Sequence, residues 1–63
     1  MRHLNWNEIK RKALDNGFVF VKHGSRHDEY RNPETGAVIQ IERHWNQEVR
    51  SGLMKRLKKV IGF

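Results

Sequence analysis

The sequence predicts an α+β fold of order α-β-β-β-α, a three-stranded antiparallel sheet with two helices on one face. Three observations predict it. Apolar residues recur at helical spacing near both ends of the chain. Between those ends lie runs of β-branched and aromatic residues, cut by Gly24-Ser25 and by Asn32-Pro33-Glu34-Thr35-Gly36. Connections that short join antiparallel neighbours, because a parallel pair needs a long crossover.

The first helix is expected over residues 6–16. Asn5 stands where an N-cap belongs, with Glu8 three positions on in the capping-box place. Trp6, Ile9, Ala13 and Leu14 share a face, and Gly17 is the expected left-handed stop. Residues 18–23 then read as a strand, too short for a helix between the glycines that bound them. Residues 26–31 return as a more polar strand after the Gly24-Ser25 turn. In the next turn Pro33 fixes φ and Gly36 supplies the positive φ. Residues 37–42 form the third strand, apolar at its start and alternating from Ile39 onward. A connection carrying Arg43, His44 and Trp45 leads to the last helix, capped by Ser51 and ended by Gly62. Leu53, Leu57, Val60 and Ile61 form its apolar face, and Lys55, Arg56, Lys58 and Lys59 the rest. Two helices on one sheet face build a single core and leave the opposite face open.

At 63 residues the chain is expected to form one domain, residues 1–63. A domain of that size buries only about 60% of the surface its unfolded chain exposes, so Trp6, Phe18 and Phe20 are expected inside. There is no cysteine, hence no disulfide, no thiolate nucleophile and no cysteine zinc site. The amino terminus, Met-Arg-His-Leu-Asn-Trp, lacks the apolar stretch of a signal peptide. No apolar run approaches the roughly 20 residues that span a bilayer. A cytoplasmic location and no membrane partner are therefore expected. Thirteen Lys and Arg against seven Asp and Glu leave a net charge of +6. Such a field draws nucleic acid, an acidic protein or, least of the three, an anionic membrane surface, unless it serves solubility alone.

The run Gly24-Ser25-Arg26-His27-Asp28-Glu29-Tyr30-Arg31 concentrates the chemistry. Histidine is the side chain whose ordinary pKa, about 6.5, allows proton transfer near neutrality. Cleaving RNA without a metal requires a proton taken from a 2′-hydroxyl or given to the leaving 5′-oxygen, with cations against the phosphoryl oxygens. His27 between Arg26 and Arg31 supplies those residue types. A single histidine in a polar strand is nonetheless more often an exposed residue without a duty. His23 and His27 cannot form a helical metal pair, since Gly24 and Ser25 interrupt them, although a tight hairpin could bring them together. No cofactor and no metal are expected, because nothing here supplies converging carboxylates or a cysteine cluster. Asp28 is placed to orient a histidine or to pair with Arg26 or Arg31. Glu8-Ile9-Lys10 reads as an ordinary helix surface. The basic last helix is either a phosphate-binding face or a solvated one. Trp45, in a polar connection, could stack on a base, anchor a partner, or close one end of the core.

Taken in order, these pieces resemble the HicA family, the toxins of type II toxin–antitoxin modules. The matching positions are Asn16-Gly17-Phe18, Gly24-Ser25-Arg26-His27 with Tyr30, and Asn32-Pro33-Glu34-Thr35-Gly36. Arg43-His44, Glu48-Val49 and Gly52-Leu53 continue the set. No single piece is specific, but the ordered set covers nearly the whole chain. Members often carry Pro before the Arg-His pair, where this chain has Glu42. The resemblance implies a fold like the double-stranded-RNA-binding domain. It also implies an endoribonuclease that cleaves mRNA without a metal and so inhibits translation and growth. It places the catalytic histidine at His27 and implies a HicB-type antitoxin that blocks the site.

The resulting expectation is His27 as general base or acid. Lys22, Ser25, Arg26, Arg31, Arg43, His44, Lys55, Arg56 and Lys59 are the candidate RNA-binding residues. A non-catalytic double-stranded-RNA-binding module, a basic protein built only for an acidic partner, and a metal-dependent nuclease are the other readings the residues leave open.

Overall fold

The computed structural model describes residues 3–63. Met1 and Arg2, which open the stretch examined for a signal peptide, lie outside the described residues. Helix α1 spans Trp6–Asp15, followed by strands β1 (Val19–His23), β2 (His27–Arg31) and β3 (Val38–Glu42), and then helix α2 (Ser51–Ile61). The strands form one antiparallel sheet in the order β1-β2-β3. The fold is the expected α-β-β-β-α, with strand and helix ends within a residue of the sequence boundaries.

The start of α1 is held by three separate devices. The Asn5 side chain accepts from the Glu8 amide at 2.8 Å, and the Glu8 carboxylate accepts from the Asn5 amide at 3.1 Å. That reciprocal pair is the capping box. The two remaining first-turn amides are met by the connection after β3. Trp6 donates to the Gln47 carbonyl at 3.1 Å and Asn7 to the Trp45 carbonyl at 3.2 Å. At the other end Gly17 adopts φ +89°, which a residue with a Cβ rarely tolerates. Phe18 then turns into the core.

The core gathers Trp6, Ile9 and Ala13 of α1, Phe18, Tyr30 of β2, Ile39 and Ile41 of β3, Val49, and Met54, Leu57 and Ile61 of α2. On β2 and β3 the alternation is clean: Asp28, Tyr30, Ile39 and Ile41 point inward. Asn32 ties the β2–β3 turn to the end of α1. Its side chain donates to the Asn16 carbonyl at 3.3 Å and accepts from the Glu34 amide at 2.9 Å. Among the described residues no helix is long and apolar enough to cross a membrane.

Three expectations need correction: the place of Phe20, the cap of α2 and the make-up of its buried face. Phe20 is not a core residue: it is 52% exposed, its ring set edge-on against Tyr30 with centroids 5.7 Å apart. The helices pack against each other, and α1 packs against β3, so that β1 is left as an uncovered edge whose five residues are all exposed. Ser51 is not the cap of α2 but its first residue. Arg50 is the cap and contributes no side-chain bond. Val49 is buried and donates its amide to the Leu4 carbonyl at 2.9 Å, and this anchorage sets where the helix begins. The buried face of α2 is Met54, Leu57 and Ile61, with Leu53 and Val60 only partly covered.

Candidate active site

The β1–β2 hairpin carries the chemistry-bearing run at its tip. Its register changes between Phe20 and Lys22, which makes Val21 the extra residue of a β-bulge. Before the bulge Phe20 stands opposite Tyr30. After it Lys22 stands opposite Glu29, and His23 opposite Asp28. The shift brings His23 onto the inward face of the sheet, where Asp28 points.

Asp28 is the hub of a clamp. Its Oδ1 lies 2.8 Å from His23 Nδ1 and accepts from Arg43 Nη1 at 2.8 Å. The other arm of Arg43, Nη2, donates to the Ser25 carbonyl at 2.7 Å. Burial alone would raise the Asp28 pKa. The Arg43 hydrogen bond, the His23 charge and the Arg43 charge outweigh it, and the carboxyl is held below its ordinary value of 3.8. His23 Nδ1 also lies 3.2 Å from Arg43 Nη1, so the imidazole sits against both members of the ion pair, and its role as donor or acceptor follows its tautomer. One guanidinium thus fastens the end of β3 to both strands of the hairpin tip. Burial, together with the Asp28 charge, raises the pKa of Tyr30, the inward residue two places along β2.

His27 faces the opposite way from Asp28. On the open face of the sheet it lies directly across from Glu42 of β3. Neighbouring rows on that face pair Lys22 with Glu29 and Glu29 with Gln40, whose side chain donates to Glu29 at 3.5 Å. From this face a groove of about 540 Å³ runs round the β3 edge toward α2. Arg26, His27, Glu42 and Arg56 line it, above an apolar floor that includes Leu53 and Leu57. No hydrogen bond or ion pair to another described residue occupies any of those four polar side chains. A titratable imidazole, a carboxylate and two guanidinium groups therefore stand ready in one groove. Their combined chemistry is proton transfer beside a bound anion.

The predicted RNA-binding residues divide. Arg26 and Arg56 share the groove with His27. Ser25, Arg26, Arg43 and His44 line an adjoining hollow, where they meet Glu42 again. The Arg43 guanidinium is already engaged by Asp28 and Ser25. Lys22 and Arg31 lie on the exposed strand positions of the sheet, and Lys55 and Lys59 on the solvent side of α2, outside the groove. Trp45 is a lid: it is half-buried against the core, with the Lys10 ammonium 5.1 Å from its ring centroid. Among the described residues no three His, Asp or Glu side chains come together as a metal cluster would require. Glu42 was visible in the sequence only as the residue standing where a Pro is common. The signal that would have found it is the inward alternation of Ile39 and Ile41, which turns Glu42 to the His27 face.

A family model described as the HicA toxin of bacterial toxin–antitoxin matches residues 6–63. No curated protein and no solved structure matches the chain at a significant level.

Proposed function

This chain belongs to the HicA toxin family of bacterial toxin–antitoxin modules, and we propose that it acts there as an endoribonuclease that cleaves mRNA without a metal. In this reading the chain works as one domain, in the cytoplasm, and a HicB-type antitoxin holds it inactive by covering the His27 groove. The observation that carries the proposal is the position of His27. It is exposed, free of any described partner, and in one groove with the Arg26 and Arg56 side chains.

The roles follow from the chemistry. Cutting RNA through its own 2′-hydroxyl needs proton transfer at two oxygens and positive charge at the phosphoryl group. His27 transfers a proton, and Arg26 and Arg56 contact the phosphate. The net charge of +6 brings the polyanion in. Arg43 acts at one remove, holding the hairpin tip that presents Arg26 and His27.

The test is RNA cleavage by purified protein in EDTA, beside His27→Ala. Cleavage by the parent, lost about 10²- to 10⁴-fold in the variant, supports the reading. RNA bound but uncut by both proteins would make the chain a binding module instead. A variant that cuts as fast as the parent would remove His27 from the mechanism.

A further inference from the structure

We propose that Glu42 is the second proton-transfer residue of this site, the general base that works against His27 as general acid. The inference rests on the ribonuclease reading and deepens it, because a single histidine cannot serve both oxygens of the scissile phosphate in one step.

The placement of Glu42 carries the argument. Glu42 and His27 are direct cross-strand partners on the open sheet face. Side chains so paired have their Cβ atoms about 5 Å apart, and two groups that flank one phosphorus need a separation of that order. Glu42 is the one carboxylate among the described residues that line the His27 groove. It also borders the two adjoining hollows, so its carboxylate stands where three clefts meet. It is partly buried, and no other described residue bonds to it. A carboxylate in a groove for phosphate repels the ligand, so a bystander there would weaken binding and bring nothing.

Cationic side chains share each of the clefts that Glu42 borders. Arg26 and His27 face it from the hairpin, Arg43, His44 and Arg50 from the segment after β3, and Arg56 from α2. Glu48 is the one like charge bordering those hollows. Of the other candidate bases, Asp28 is inside the Arg43 clamp and His23 is on the opposite face of the hairpin. Glu29, on the His27 face, holds the Gln40 amide outside the groove, and His44 borders the adjoining hollow.

The step balances. The Glu42 carboxylate takes the 2′-hydroxyl proton as the O2′–P bond forms. The P–O5′ bond breaks, and the leaving O5′ takes a proton from the His27 imidazolium. The products are a 2′,3′-cyclic phosphate and a 5′-hydroxyl end. Exchange with water restores both groups, while Arg26 and Arg56 face the charge that gathers on the non-bridging oxygens.

The experiment compares the parent, Glu42→Gln and Glu42→Asp in single-substrate RNA cleavage. Circular dichroism and thermal melts establish that each is folded. Glu42→Gln is expected to lower kcat about 10²- to 10⁴-fold with KM unchanged or lower, and Glu42→Asp to keep part of the rate. The pH profile of the parent should rise on an acid limb and fall on an alkaline one, and Glu42→Gln should lose the acid limb. A substrate with sulfur in place of the scissile 5′-oxygen leaves without a proton. It should restore His27→Ala and leave Glu42→Gln slow. Rescue of Glu42→Gln by sulfur would overturn its assignment as the base. A folded Glu42→Gln that cuts as fast as the parent, or faster, while His27→Ala is inactive would overturn this inference and leave the function standing. A parent that cuts no RNA would remove both.

Discussion

Arg43 Nη1 lies 2.8 Å from Asp28 Oδ1, so the residue just after β3 is ion-paired to an inward-facing residue of β2. The carboxylate is 11% exposed and the guanidinium 26%, so this pair works in a partly desolvated place. It differs in kind from exposed ion pairs, whose median contribution is about 0–1 kcal/mol. The same guanidinium reaches the Ser25 carbonyl, so one side chain fixes both the carboxylate and the loop beside His27.

Removing that side chain should cost stability and activity together. Arg43→Ala leaves Asp28 with His23 alone and the Ser25 carbonyl without its donor. We expect a loss of about 1.5–3 kcal/mol, the usual value of hydrogen bonds to charged groups. In a domain of this size that lowers Tm by roughly 10 °C or more. Urea titration gives the first number. Cleavage measured well below the new Tm should still be reduced, because the hairpin tip is no longer tied to β3. Full activity in a destabilised Arg43→Ala would mean that the tip holds its shape unaided.

The Asp28 carboxyl should also contribute to the acid limit of stability. Its folded pKa lies below the ordinary 3.8, so the folded state releases this proton more readily than the unfolded chain. The contribution is complete above the unfolded value and drains away as the pH falls from there through the lower folded value. Stability followed by denaturant titration should therefore drop on the acid side of pH 4. Asp28→Asn should flatten that part of the curve while lowering stability at pH 7. An unchanged acid slope in Asp28→Asn would show that other carboxylates carry it.

Gly24 is required by close approach, not by an unusual φ. A Cβ placed there would meet the His27 carbonyl oxygen at 2.6 Å, the oxygen that accepts from the Gly24 amide at 2.9 Å. Gly24→Ala must push the two strands apart at their last bond. A destabilisation of about 1–3 kcal/mol is expected, as for other forced contacts, with a further loss of cleavage as His27 moves. Gly52→Ala is the control: a Cβ there meets nothing within 4 Å, and as a better helix former in α2 it should hold or slightly raise stability and leave cleavage as it is.

The fold was legible because its signals are local. The Asn5–Glu8 capping box, the glycine at 17 and the Asn32-to-Gly36 turn can each be read from a few adjacent residues, and each is present. The meeting of side chains was less legible because it depends on register. The bulge at Val21 turns His23 toward Asp28, and no pattern in residues 18–23 announces an extra residue there. The β2–β3 register sets Glu42 against His27, and the length of the Asn32–Gly36 turn determines that register only through its folded geometry. The path of the segment after β3 likewise decides that Arg43 pairs with Asp28, where the sequence had offered Arg26 and Arg31. Phe20 was misplaced for a different reason. Its composition suits a core, but the helices pack on the β3 side of the sheet and stop short of the β1 edge.

The amino-terminal end of α1 has a consequence for how this protein meets anions. A helix start is ordinarily a place where bare amides and the helix dipole receive a phosphate. Here Trp6, Asn7 and Glu8 each give their amide to the chain's own oxygens, at Gln47, Trp45 and Asn5. That docking berth is shut by the protein itself. In the proposed ribonuclease, recognition of the polyanion would fall to long cationic side chains, which displace salt ions one by one, so its strength should be set by the saltiness of the surroundings as much as by shape.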